Sequence, residues 1–204
     1  MTMNGVKRME NIQQIIEKLG LDVGLALDEI PQIDLYMDQV IQLFENKFNE
    51  TKRYEDDKVL TKTMINNYAK GKLIFPIQNK KYSKKHLILM SLIYQLKGAL
   101  SINDIKVTLQ AINQKIIKEE MELESFYSSY LHLTRQNVED FKADISERVK
   151  DVNEEITEDE KGNSADLEQV LMISSLVHMS NLYRKVAEKL VDDMTVEKYE
   201  KRHK

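Results

Sequence analysis

Apolar residues recur at helical spacing along most of this chain. Ile12, Ile15, Ile16 and Leu19 share one face and predict a first helix from Met9 to Leu19, ended by Gly20. A broad stripe of Leu35, Val40, Ile41, Leu43, Phe44 and Phe48 predicts a second over 34–49. The polar run NETKRYEDDK reads as a loop, and a short helix follows from 61 or 62 to 70, with Gly71 just past its last turn. Pro76 then forces Phe75 out of the α region. Leu73 to Phe75 are therefore expected to pair with Lys81 and Tyr82 across a turn at Gln78 and Asn79, as a small hairpin. Ser83 starts a strong helix to Lys97, stopped by Gly98. Ser101, with Asp104 three positions on, starts another from Ile102 to about Ala111.

The C-terminal part has a different rhythm. Positions 123, 127, 130, 134, 138, 141, 145, 149, 152 and 156 are apolar except Thr134, a repeat of about 3.67 residues. That period suits an undistorted helix packed in a hairpin or bundle better than a left-handed coiled coil. A polar loop, TEDEKGNS, separates it from a last helix over about 165–199. That helix has a face wide enough for more than one neighbour: Leu167, Val170, Leu171, Ile173, Leu176, Val177, Leu182, Val186 and Leu190.

Composition narrows the class. Six glycines and two prolines in 204 residues are too few for a turn-rich sheet protein. Absence of cysteine excludes disulfides, thiolate metal sites and a catalytic thiol. No apolar run reaches the roughly 20 residues of a membrane span, and the start MTMNGVKRMENI lacks a signal-type apolar core. A soluble, cytoplasmic protein is expected, with no membrane contact.

Charge changes the picture most. The formal net charge is −4, yet residues 58–103 hold nine lysines and no acid. Residues 1–57 hold 6 basic against 12 acidic side chains, and residues 104–204 hold 15 against 22. Solvated surfaces usually mix both signs, so a single-sign window of this length predicts a polyanion partner. Anionic lipid is the weaker candidate, because an interfacial helix sets an aromatic-rich apolar face beside its lysines.

Within the window, short helix, hairpin, longer helix and second short helix follow in the order of a winged helix-turn-helix. The helix at 62–70 sets Lys62, Asn66 and Lys70 on one face with Thr63 and Asn67 beside them, while Ile65 and Tyr68 point to a core. Lysines neutralise phosphate, and asparagine pairs with adenine in the major groove. The expected DNA-binding set is Lys62, Thr63, Asn66, Asn67, Lys70, Lys72, Lys80, Lys81, Lys84 and Lys85, with Lys80 and Lys81 on the wing. Lys84 and Lys85 sit in a first helical turn, where cations oppose the dipole.

INNYAKGKLIFP, followed by KKYSKKHLILMSLIYQLKGALSINDIKVTL, resembles the DNA-binding module of MerR-type regulators. Ile65, Tyr68, Leu73, Ile74, Pro76, Tyr82, Ser83, Leu87, Ser101, Ile105 and Lys106 fall on that pattern. With IPQIDLYMDQV and LTKTMINNY, the chain looks more closely like an uncharacterised bacterial family, the domain-of-unknown-function family numbered eighteen thirty-six, itself similar to MerR modules. The likeness spans roughly residues 30–112. Asn66 and Asn67 stand where the MerR pattern has arginine and tyrosine. The resemblance implies a winged helix-turn-helix on duplex DNA and a transcriptional role.

Each of these residues also has a plainer reading. Solvent exposure accounts for Asn66 and Asn67 as readily as base contact does. Tyr68 and Tyr82 read as packing residues, and Pro76 as a turn former. His86, His132, His178 and His203 form no ligand pair, so neither metal nor cofactor is expected, and His86 reads as a surface residue. No phosphate loop, triad or nucleophile elbow is present, so no enzyme is expected.

The expected fold is mostly α: a MerR-like winged helix-turn-helix with a small β-hairpin wing, then a two-helix C-terminal hairpin or bundle. Residues 1–29 form an N-terminal helix and linker, 30–112 the DNA-binding domain, and 113–204 a helical dimerisation or interaction region. The expected function is a homodimeric DNA-binding regulator paired through its C-terminal helices, its effector unknown. The alternative is a protein–protein interaction module using the helical C-terminal region, with the winged fold as scaffold.

Overall fold

The computed structural model describes residues 12–155 and 164–202. The start of the first helix at Met9 and all but Ser164 of the loop at 157–164 lie outside them, as does Ile156. The chain is mostly helical. Helix α1 (12–18) is followed by strand β1 (Leu35–Tyr36) and helix α2 (Met37–Phe48). Helix α3 (Lys62–Lys70), strand β2 (Lys81–Tyr82) and helix α4 (Lys84–Leu96) come next, then α5 (Ile102–Ile117), α6 (Leu123–Glu155) and α7 (Ser164–Arg202).

Two compact units share the long helices. Among the described residues, 23–132 and 186–202 make one, and 12–22, 133–155 and 164–185 the other. In the larger unit α4 is the central element: His86 to Ile93 are all buried, so it reads as apolar on every side. Around it gather Leu25, Val40, Phe44, Phe48, Ile65, Leu73, Ile105, Leu109 and Tyr127. Each fully buried large apolar side chain contributes about 1.5–3 kcal/mol relative to exposure. Tyr127 joins distant parts of this core. Its hydroxyl donates to Leu25 O at 2.7 Å and meets Ser91 Oγ at 2.9 Å, and burial pushes its pKa up to about 12.

The sheet departs from expectation. Lys81 and Tyr82 pair antiparallel with Tyr36 and Leu35, not with Leu73 to Phe75. Leu73 and Ile74 are buried in the core and so are not free to form an edge. The local turn does form, one residue later than expected. Lys81 N donates to Gln78 O at 2.9 Å, with Asn79 and Lys80 both at positive φ (50° and 59°). Helix α5 also runs past Ala111 to Ile117, because Ile116 continues the buried stripe of Ile105 and Leu109.

In the smaller unit, α6 turns Ile145 and Val149 inward. Arg148 holds Asp144 through two bonds (2.5 and 2.9 Å) and reaches Ser175 Oγ on α7 at 3.3 Å. An apolar cleft of about 440 Å³ runs among Ile12, Ile16, Ile145, Val149, Met172 and Leu176.

Candidate nucleic-acid interface

All ten residues expected on DNA belong to the larger unit. Helix α3 begins at Thr61, whose hydroxyl accepts Met64 N at 3.2 Å. Ile65 and Tyr68 are buried, and this fixes the helix's rotation. On the opposite face, Lys62, Thr63, Asn66, Asn67 and Lys70 are all exposed.

The end of α3 is a Schellman closure with an unusual occupant. Leu73 N donates to Tyr68 O at 2.9 Å and Lys72 N to Ala69 O at 3.1 Å. The left-handed residue is Lys72 (φ 59°), where glycine is usual. Gly71, just past the last turn as expected, keeps φ −71° and serves a different need. A Cβ there would lie 2.9 Å from Asn67 O and 2.7 Å from Leu73 Cδ1.

Two contacts bring the start of α3 beside β2. Lys62 Nζ pairs with Asp38 at 2.8 Å, in the first turn of α2. Two residues earlier, Tyr36 places its ring 5.2 Å beneath Lys81 Nζ. Lys62 and Lys81, 19 positions apart in sequence, thus meet the same short segment of β1 and α2. Lys72, Lys80 and Lys85 are also exposed. Lys84 differs: its side chain is only 13% exposed and pairs with Glu124 at 2.9 Å. Lys97, also in the basic window, is drawn inward. Its amine donates to Val59 O at 3.0 Å and lies 4.4 Å over the Tyr94 ring, and burial lowers its pKa.

His86 is buried, which corrects its reading as a surface residue. The ring stacks on Phe75 with centroids 3.8 Å apart. Nδ1 accepts Ser83 N at 3.1 Å and lies 2.9 Å from Ser83 Oγ; Nε2 lies 3.3 Å from Phe75 O. A backbone N–H only donates, so Nδ1 is unprotonated and Nε2–H faces the carbonyl. Burial lowers the pKa, opposed by the Phe75 and Pro76 backbone and by Asp34. His86 therefore ties the segment around Phe75 to the start of α4.

Tyr36, Asp38, His86 and Asn113 were missed by sequence reasoning as parts of this region. Asn113 alone left a trace, as a polar residue in the Ile105–Leu109–Ile116 stripe. Its amide donates to Leu73 O at 2.8 Å and Leu109 O at 3.1 Å, holding the chain just after α3. Tyr68 and Tyr82 are buried packing residues, as expected. Among the described residues no cluster of metal-ligating side chains occurs, and no helix is long and apolar enough to cross a membrane.

A model of the family described as Domain of unknown function (DUF1836) matches residues 25–130. Those limits coincide with the larger unit's core, from Leu25 to Tyr127. No curated protein matches the chain, and no solved structure does.

Proposed function

We propose that this chain, which belongs to the DUF1836 family, is a DNA-binding transcriptional regulator. In this reading α3 meets the major groove as the recognition helix of a MerR-like winged helix-turn-helix, and the segment 73–83 acts as the wing. The family description hands over no chemistry, so the reading rests on side chains. The observation that carries it is the exposure of Lys62, Lys70, Lys72, Lys80 and Lys85, with half-buried Lys81 among them, in one folded unit, within a window that holds no acid. Six cations facing phosphate release counterions, and Asn66 and Asn67 supply amides for base edges. Asp38 holds Lys62 only through an exposed pair, worth about 0–1 kcal/mol, which phosphate readily displaces. Positive φ at Lys72, Asn79 and Lys80 adds support, since left-handed non-glycine residues concentrate at functional sites.

A twofold dimer reads two half-sites of a palindromic operator, and in this reading the chain pairs as a homodimer through its C-terminal helices. The test is an electrophoretic shift with genomic fragments. Wild type should retard duplex DNA, and the double variant Lys62→Glu, Lys81→Glu should not. Retardation that is equal for both proteins, or absent from both, removes this reading.

A second reading has its own observation. Helix α7 exposes Leu167, Val170, Ile173, Val177, Val186 and Leu190, the kind of surface an interaction module offers. That reading expects no DNA shift at all.

A further inference from the structure

We propose that the outward face of α7 from Asp166 to Lys185 pairs with the same face of a second copy, the two helices antiparallel about a twofold axis near Ser175 and Leu176. This deepens the homodimer part of the reading above and is independent of DNA binding.

The first half of α7 carries two apolar faces. Met172 and Leu176 turn toward Ile145 and Val149 of α6 and line the apolar cleft. On the opposite side, at alternating three- and four-residue steps, lie Leu167, Val170, Ser174, Val177 and Asn181. Leu167, Val170 and Val177 are 43%, 59% and 54% exposed. A helix apolar on both sides is built to be covered on both sides. The surrounding sequence agrees. In a chain that is 31% charged, residues 169–183 contain no Asp, Glu, Lys or Arg.

Charge order identifies the occupant. The uncharged stretch is preceded by Asp166 and Glu168 and followed by Arg184 and Lys185. A parallel pair would set acid beside acid and base beside base. An antiparallel pair sets Asp166 against Lys185 at both ends at once, as a twofold interface requires. A second copy supplies that reversed order automatically. In this register small Ser174 faces Val177, which lets the helices approach closely. Val170 faces Asn181, and Leu167 lies under the aliphatic stem of Arg184.

Sedimentation of the full chain without DNA tests the pairing. Wild type should be a dimer, and Val170→Glu with Val177→Glu a monomer of unchanged helical content by circular dichroism. Lys185→Glu should raise the dimer dissociation constant at least about tenfold, and adding Asp166→Lys should restore it. Because the chain has no cysteine, introduced thiols report the register. Ser174→Cys should link when mixed with Val177→Cys chains, and Asp166→Cys only when mixed with Lys185→Cys chains. A monomeric wild type, a dimer indifferent to the valine substitutions, or self-linking of Asp166→Cys overturns the inference. A monomer that still shifts DNA fails this inference alone, and a dimer that ignores DNA fails the regulator reading alone.

Discussion

Two residues beside the candidate interface hold more than their own contacts. His86 is neutral because Nδ1 must accept the Ser83 N–H, and burial lowers its pKa. An unfolded histidine titrates near about 6.5. Below that pH the unfolded chain takes up a proton that the folded chain refuses. The stability that neutral His86 contributes is therefore present above about pH 6.5 and lost as pH falls toward the folded pKa. Urea midpoints at pH 7.5 and 5.5 should show the decline, and His86→Gln should flatten it. An equal decline in the variant would assign the effect to other groups. Lys72 stands in a left-handed conformation that costs an L-residue on the order of 1 kcal/mol. Lys72→Gly should raise stability by about 0.5–1 kcal/mol and weaken DNA binding. Such opposed signs are what a strained functional residue produces.

At the scale of elements, the interface depends on segments that lie far apart in sequence. β1 aligns β2, and Asp38 beside it holds Lys62 of α3. Asp38→Asn should free that lysine and remove a local negative charge, tightening DNA binding about two- to fivefold at low salt, with the gain fading as salt rises. A fluorescence anisotropy titration at two ionic strengths checks this. The opening turns of α6 complete the same unit through Tyr127, whose hydroxyl meets Leu25 O and Ser91 Oγ. Tyr127→Phe leaves that buried carbonyl without its donor. The expected loss is about 1–3 kcal/mol in chemical denaturation.

For the whole molecule, the two proposals meet in one measurement. Six lysines on phosphate give a log–log salt slope of about −5 per half-site, and a dimer engaging both half-sites gives about −10. The Val170→Glu, Val177→Glu chain should return to about −5 if pairing and DNA contact are separate properties. A slope near zero for wild type would remove the DNA reading at once.

The sequence by itself determined the helices, their faces and the acid-free window. These are local facts: a 3.6-residue repeat, a capping serine or threonine and a run of lysines act within a few residues of themselves. It therefore predicted the buried Ile65 and Tyr68, the exposed Lys62 and Asn66, and the start at Ser101. Only the tertiary structure decided which strand Tyr82 pairs with, that Lys84 turns to Glu124, 40 residues away, and that His86 is enclosed. It also set Lys72, and not Gly71, in the left-handed conformation, since Leu73 must reach the core. Each of these depends on which distant surfaces close over one another, and no local period carries that information.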